Sequence, residues 1–149
     1  MIIRKAKPQD VPAIVELAVE SVTTIAPIPE LKIDRDAMRN MTELCLQPAH
    51  FCMVAERDGV IVGAVAAQVV PGFWFHKLQC SVLMHYARES GAWVKLMRAL
   101  AAWVKGRSGI KMALIEVEDC HDPKVLRFIE RLGFTRPSTN RMYIRGGTQ

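Results

Sequence analysis

The sequence has few residues of the kinds that mark disulfide-rich, metal-binding or membrane-spanning proteins. Its four cysteines (Cys45, Cys52, Cys80 and Cys120) form no Cys-x-x-Cys pair and stand mostly inside apolar segments. We therefore expect reduced, buried thiols and no metal site. No apolar run is long enough to cross a bilayer, and the charged N-terminus lacks the apolar stretch of a signal peptide. These absences predict a cytoplasmic protein with no membrane partner.

Aromatic residues are also scarce: three Trp, two Tyr and five Phe. The basic residues are scattered and are not interleaved with aromatics, which argues against a nucleic-acid-binding module even though the net charge is +5. That charge favours anionic partners in general. No repeat, linker or low-complexity stretch divides the chain, so a single domain is expected over residues 1–149, with enough chain to bury a core.

Hydrophobic periodicity predicts strands and helices in a mixed order. The predicted strands are 1–7, 51–57, 60–70, 73–84, 111–117 and 141–145. Four helices are predicted: the first begins at Asp10, and the others span 34–46, 91–105 and 122–132. Asp10 and Asp122 are expected N-caps, and Asp58-Gly59 is expected to form a tight hairpin turn. The order predicts an α/β (α+β) fold, with helices on both faces of a mixed sheet.

A strand, a short polar loop and a helix follow one another in the middle of the chain. The apolar segment that ends near Ala87 leads into Arg88-Glu89-Ser90-Gly91, and the strongly periodic helix starts at once. A helix N-terminus presents backbone N–H groups without intrahelical partners at the positive end of the helix dipole. The junction is therefore a ready site for phosphate oxygens.

Four features, in this order, resemble the GCN5-related N-acetyltransferase (GNAT) family over nearly the whole chain. They are the Ile-Ile-Arg-Lys-Ala-Lys-Pro-Gln-Asp opening, the Asp58-Gly59 hairpin, the Arg88-Glu89-Ser90-Gly91 loop, and Leu132-Gly133-Phe134 at the end of the late helix. The third is similar to the family's Arg/Gln-x-x-Gly-x-Gly/Ala loop. The resemblance implies a mostly antiparallel sheet. It also implies transfer of an acetyl group from acetyl-coenzyme A to an amine on a small molecule or a protein.

The resemblance also implies where the coenzyme lies. The backbone of the late strand would pair with the pantetheine arm, and a strand bulge near Leu83 would turn its N–H toward the thioester oxygen. The diphosphate would lie on the loop, where Arg88 either offsets phosphate charge or is a solvated surface residue. The expected coenzyme-binding residues are Val82, Leu83, Met84, Arg88, Glu89, Ser90, Gly91, Ala92 and Trp93.

Two residues depart from the family pattern. Trp93 stands where the loop normally has a second glycine or alanine, and its indole either obstructs the diphosphate or, as we favour, anchors the loop in the core. Ile129 stands where many members have a tyrosine that protonates the departing thiolate, although water could do so instead. These departures keep a second function open, a catalytically inactive coenzyme A-binding or protein-assembly module.

Direct attack by an amine needs a base within reach. Glu116 is a candidate, with Glu118 beside it, although the pair could also be a solvated edge. His85 could relay a proton near neutral pH or be structural. The candidates for replacing the missing acid are Tyr86, His121 and Tyr143. Together with the Leu83 N–H, the catalytic prediction names Glu116, His85 and Tyr143.

The sequence also bears on self-association. The cluster Phe73-Trp74-Phe75 and an exposed late strand favour a homodimer. The acceptor amine has no signature in the sequence, because acceptor pockets are built from variable loops.

Overall fold

The computed structural model describes residues 1–118 and 122–146. Its elements follow the predicted order as far as the last helix. The strands are β1 (Ile2–Lys5), β2 (Phe51–Arg57), β3 (Val60–Pro71), β4 (Leu78–Ala87) and β5 (Ile110–Leu114), and the helices are α1 (Val11–Thr24), α2 (Arg35–Cys45), α3 (Ser90–Lys105) and α4 (Pro123–Arg131).

The strands form one sheet in the order β1-β2-β3-β4-β5. The first three pairs are antiparallel, and β4 and β5 run parallel. The parallel pair needs a crossover connection, which α3 supplies. The structure therefore confirms the prediction of a mixed, mostly antiparallel sheet.

Helices cover both faces of the sheet. Ile14 and Leu17 of α1 and Cys45 of α2 pack on one face, and Leu96 and Leu100 of α3 pack on the other. The central strand β3 is buried on both faces, as its continuous apolar sequence predicts, and its buried residues are Gly63, Ala64, Val65, Ala66, Ala67 and Val69.

A glycine lets the end of β4 approach β3 closely. Gly63 pairs with Ala87, and a Cβ at Gly63 would lie 2.7 Å from the Ala87 Cβ and 3.0 Å from Leu96 Cδ1. No side chain fits there without moving the backbone. The last residue of β4, and with it the following loop, is therefore fixed by contact with β3.

Several local predictions are confirmed. Asp58 and Gly59 have positive φ angles of 52° and 80° in the β2–β3 turn. Asp122 caps α4 by accepting a hydrogen bond from the Lys124 N–H at 2.9 Å. The three described cysteines, Cys45, Cys52 and Cys80, are reduced and buried, whereas Cys120 lies outside the described residues.

Two strand boundaries were predicted wrongly. The strand predicted over 73–84 is β4, Leu78–Ala87, because the preceding residues form a loop closed by a 3.0 Å bond from the Gly72 N–H to the Lys77 carbonyl. Phe73 lies in that loop and is 98% exposed. The strand predicted over 111–117 is β5, which ends at Leu114, where its pairing with β4 stops.

The predicted strand 141–145 is wrong. These residues form no strand, although their sequence alternates around Tyr143. Met142 and Tyr143 are neighbours and both are exposed, so the segment lacks the buried face that fixes a strand against a sheet. Alternation without a partner edge does not specify a strand.

Asp10 precedes α1 but does not cap it with its side chain. Its carboxylate instead accepts bonds from the Arg4 guanidinium at 2.7 and 3.0 Å and from the Lys7 N–H at 2.8 Å, within a 3-10 turn over Pro8–Asp10. Asp10 therefore ties β1 to the start of α1, a longer-range role than the predicted cap.

Neither a spanning helix nor a metal cluster is found in residues 1–118 and 122–146. None of the helices there has both the length and the hydrophobicity to cross a bilayer. No three His, Cys, Asp or Glu side chains in the same ranges converge on a point where a metal could bind.

Candidate active site

The loop after β4 places free amides at the start of α3. Glu89 is the N-cap residue in an extended conformation, and the first intrahelical bond runs from the Trp93 N–H to the Glu89 carbonyl at 3.2 Å. The N–H groups of Ser90, Gly91 and Ala92 therefore have no acceptor within the helix. Since the Trp93 N–H already has its own acceptor, it does not belong to the row of amides predicted to bind phosphate.

The space around Gly91, the middle residue of this row, is open. Gly91 is exposed, and a Cβ placed on it would meet no atom within 4 Å. Its φ angle is also not positive, so the residue is not held by backbone strain. Amides at a helix N-terminus with open space before them fit a diphosphate in shape and in charge.

The two arginines around the loop are each paired with a carboxylate. Arg88 donates from Nε and Nη2 to the carboxylate of Glu20 of α1, with the shortest contact at 2.6 Å, and Arg57 of β2 donates to Glu89 at 2.9 Å. The bond from Arg88 holds the pKa of the Glu20 carboxyl below its usual range, and the Tyr86 hydroxyl acts in the same direction. The Arg88 guanidinium is thus directed at Glu20 of α1 and is not simply solvated, and its contact with a phosphate stays a prediction.

Strands β4 and β5 stop pairing partway along their length. The last parallel pair is Ser81 with Leu114, although β4 continues to Ala87. Beyond that pair the edge of β4 faces a gap between the two strands, which we call the split. The split leads from the middle of β4 toward the amides of the loop.

A bulge interrupts β4 at the inner end of the split. Met84 pairs with Ala66 and Val82 pairs with Ala67, which leaves Leu83 without a partner on β3. The bulge predicted near Leu83 is therefore confirmed. Leu83 is 44% exposed, so an apolar side chain in the middle of the sheet reaches solvent at this point.

His85 crosses the split. The indole N–H of Trp93 donates to His85 Nδ1 at 3.1 Å, and His85 Nε2 lies 3.1 Å from the backbone carbonyl of Glu116. Because an indole nitrogen and a carbonyl oxygen have fixed roles, Nδ1 must accept and Nε2 must donate. The ring is therefore neutral, with its proton on Nε2, and both nitrogens are occupied in this arrangement.

Trp93 is part of the core and does not cover the loop. Its indole is half-buried and packs on Phe128 of α4, with ring centroids 5.5 Å apart. The preferred interpretation of Trp93 as an anchor beneath the loop is confirmed by this packing. The open space before Gly91 is consequently kept.

The remaining candidate residues are dispersed. The Glu116 carboxylate accepts a bond from Asn140 Nδ2 at 2.8 Å, whereas Tyr143 is 71% exposed and lies against its own neighbour Arg145. Ile129 is buried, so no hydroxyl reaches the split from that position. His121 lies outside the described residues.

Sequence reasoning did not identify Glu20 or Asn140. Glu20 lies on a helix 68 residues before Arg88, and Asn140 lies in an irregular segment 24 residues after Glu116. Neither spacing has a local signature. The sequence shows only that glutamates occur on a helix that packs beside the loop. It does not show whether Glu20 or Glu16 would pair with Arg88.

A mainly apolar groove of about 790 Å³ lies beside β5. Residues of β5, α4 and the segment after α4 line it, among them Leu114, Ile115, Leu126, Ile129 and Phe134. Charged side chains also line the groove, among them Lys105, Lys111 and Glu130.

The fold is that of the GNAT acetyltransferase family, and the sequence supports the same family. The family model described as acetyltransferase (GNAT) matches residues 12–134, and the chain belongs to this family. The match includes β4, the loop, α3 and α4. A search of curated proteins gave no significant match to the sequence.

Solved structures share the fold at low sequence identity. A ribosomal-protein-alanine N-acetyltransferase from Brucella melitensis is 23% identical, with a TM-score of 0.67, over 89% of this chain and 83% of that one. An aminoglycoside acetyltransferase from an uncultured soil sample is 15% identical, with a TM-score of 0.68, over 95% and 93%. A Trypanosoma brucei acetyltransferase is 19% identical, with a TM-score of 0.65, over 95% and 96%. Because the first two are named for such different acceptors, the fold alone does not identify an acceptor for this chain.

Proposed function

We propose that the protein transfers the acetyl group of acetyl-coenzyme A directly to an amine. The observation that carries the proposal is the line formed by three features: the free amides of Ser90 to Ala92, the open edge of β4 and the bulge at Leu83. The groups of acetyl-coenzyme A follow one another in the same order: its diphosphate needs the amides, its amide-bearing arm needs the open strand edge, and its thioester needs the bulge. Membership of the GNAT family supports the same reaction.

Binding falls to the backbone. The amides of Ser90, Gly91 and Ala92 hold the diphosphate at the positive end of α3. The backbone of Val82, Leu83 and Met84 pairs with the arm in the manner of an added strand. The Leu83 N–H donates to the thioester oxygen, which gains negative charge as the amine attacks. Acetyl-coenzyme A supplies the activated acetyl group, and its thiolate is the leaving group.

The Glu116 carboxylate is our candidate for accepting the amine proton. It is exposed beside the split, and the bond from Asn140 fixes one of its oxygens while the other remains an acceptor. His85 is less suited to this task as it stands, since its Nδ1 lone pair already accepts from Trp93. With isoleucine at position 129, solvent protonates the thiolate, or Tyr143 does so if its segment moves.

The experiment measures binding and turnover separately. Acetyl-coenzyme A is titrated by calorimetry, and thiol release is then followed over a panel of small amines and N-terminal peptides. Binding with turnover on at least one amine supports the proposal. The absence of binding contradicts it, and it would leave only the fold.

The second candidate function is an inactive coenzyme A-binding or assembly module. The buried Ile129 favours it, because the position from which many relatives deliver a proton is apolar here. Binding without thiol release across a broad panel selects this function. A Glu116→Gln variant sharpens the distinction, since it lowers turnover by about 100-fold if Glu116 is the base and changes nothing in an inactive protein.

A further inference from the structure

In the bridge between Trp93, His85 and Glu116, a histidine of β4 connects the first turn of α3 to the segment that follows β5. Both of its hydrogen bonds are 3.1 Å long. A histidine serving only as packing would not need a defined tautomer. Here the indole N–H enforces one, because it can only donate and therefore requires a lone pair on Nδ1.

The consequence is a donor of fixed direction inside the split. With Nδ1 occupied, the proton of the ring stays on Nε2, which points across the gap toward the carbonyl of Glu116. The indole that donates to Nδ1 is itself held in place, because Trp93 packs on Phe128 and Phe128 lies beneath the guanidinium of Arg98 at 5.7 Å. The N–H is thus pre-aimed at a carbonyl oxygen before any ligand arrives.

The bridge also lies on the route that the proposed coenzyme must take. The amides of Ser90 to Ala92 follow the outer end of β4, and the bulge at Leu83 marks the inner end of the split. His85 lies between them in sequence along the same strand. An arm laid along the open edge of β4 from the loop to the bulge passes the His85 ring.

On the basis of the proposed function, we propose that His85 binds the pantetheine arm. Its Nε2–H leaves the carbonyl of Glu116 and donates to an amide carbonyl of the arm. Trp93 acts as a positioning residue that keeps the proton on Nε2. The exchange replaces one carbonyl acceptor with another, and the Glu116 carbonyl is left to water at the exposed mouth of the split, so the net change in hydrogen bonding is small.

This role differs from proton relay. A relay requires Nδ1 or Nε2 to gain and lose a proton during the reaction, whereas arm binding requires one constant tautomer. Long-range ¹H–¹⁵N spectra of His85 measure the tautomer directly. The expected spectrum is that of a neutral ring protonated at Nε2, both without ligand and with coenzyme A bound. A ring protonated at Nδ1 in either state overturns the proposal.

Two substitutions at His85 separate binding from packing. Glutamine can accept from Trp93 through its oxygen and donate through its amide, whereas leucine fills a similar volume and can do neither. Each variant is titrated with coenzyme A and with ADP, which carries the diphosphate but lacks the arm. Thermal melting checks that both variants are folded.

The expected result is selective. His85→Leu weakens coenzyme A binding by about 5- to 10-fold and leaves ADP binding unchanged, whereas His85→Gln stays within about twofold for both ligands. Unchanged or tighter coenzyme A binding by the leucine variant overturns the proposal, because His85 would then only support the structure or block the path of the coenzyme. Equal losses for coenzyme A and ADP also overturn it. If the unmodified protein binds neither ligand, the proposed function itself fails and this inference fails with it.

Discussion

The two faces of β4 hold the same loop by different means. On the face toward α1, Arg88 and Tyr86 meet the carboxylate of Glu20, an arrangement dominated by ionised groups. On the face toward α3, His85 and Trp93 form a neutral chain of hydrogen bonds. The charged side adjusts readily, because exposed ion pairs contribute little and exchange partners easily. The neutral side is half-buried and directional, so it is the side suited to defining the path of a ligand.

The loop between these two faces should give the largest effect. Gly91→Glu places a carboxylate among the amides, and we expect coenzyme A affinity to fall by at least about 100-fold, since like charges in contact cost several kcal/mol. The fold should be unaffected, because the position is open and a carboxylate suits the first turn of a helix. Calorimetry and thermal melting measure the two properties.

Ser108→Glu is the matched control for Gly91→Glu. It makes the same change of charge in the exposed connection after the other end of α3. Coenzyme A affinity should stay within about twofold of the unmodified protein. Equal losses in the two variants would mean that overall charge, and not the loop, governs binding.

Gly63→Ala tests how closely the end of β4 packs on β3. The added methyl group would meet the Ala87 Cβ at 2.7 Å, so the strands must separate, at a cost of about 2 kcal/mol in the free energy of unfolding. Urea denaturation measures this cost. Gly91→Ala is the control and should change stability by no more than about 0.5 kcal/mol. A smaller cost for Gly63→Ala than for its control would contradict the close packing of β3 on β4.

The ion pair between Arg4 and Asp10, also on the α1 side of the sheet, makes stability depend on pH. The hydrogen bond from Arg4 to the buried Asp10 lowers the pKa of that carboxyl in the folded protein. Its contribution to stability is therefore complete above the pKa of the unfolded chain, roughly pH 4, and is lost as the pH falls through the lower folded value. Asp10→Asn should cost about 1–2 kcal/mol at neutral pH, and less as the pH is lowered. Denaturation curves at pH 7 and pH 3 measure the difference. If Asp10→Asn cost more at pH 3 than at pH 7, the ionised carboxylate of Asp10 would not be the stabilising form.

The smallest effect is expected at Glu20. Glu20→Gln releases Arg88 and removes a negative charge near the loop, which should tighten coenzyme A binding by about two- to threefold. Glu16→Gln is the control, because Glu16 lies on the same helix but pairs with Arg35, away from the loop. Weaker binding by Glu20→Gln would show that the ion pair is needed to hold the loop in place.

The sequence predicted the features that depend on neighbouring residues. The Asp58-Gly59 turn follows from backbone preferences, and α3 follows from a regular apolar stripe. The GNAT resemblance located the Leu83 bulge. The sequence did not predict which distant side chains would pair. The bond between Trp93 and His85 depends on how the first turn of α3 is rotated, and the bond between Arg88 and Glu20 depends on how α1 packs.

The errors have a common physical origin. The strand predicted over 141–145 has the alternation of a strand, but no buried face to hold it, and the strand predicted from Phe73 includes a loop whose aromatic side chains face solvent. Apolar pattern reports what a segment could bury, and tertiary contacts decide whether it does. Asp10 illustrates the same point, because Arg4 binds its carboxylate before α1 can use it as a cap.

The central claim is that three amides at the start of α3 bind a diphosphate. Amide NMR spectra recorded during a titration with coenzyme A test it most directly, with Gly59 in the distant β2–β3 turn as an internal reference. The account predicts that the largest downfield shifts occur at Ser90, Gly91 and Ala92 while Gly59 stays unmoved. Unchanged signals from these three amides at saturating coenzyme A, with shifts confined to the basic residues Lys105 and Arg107, would contradict it.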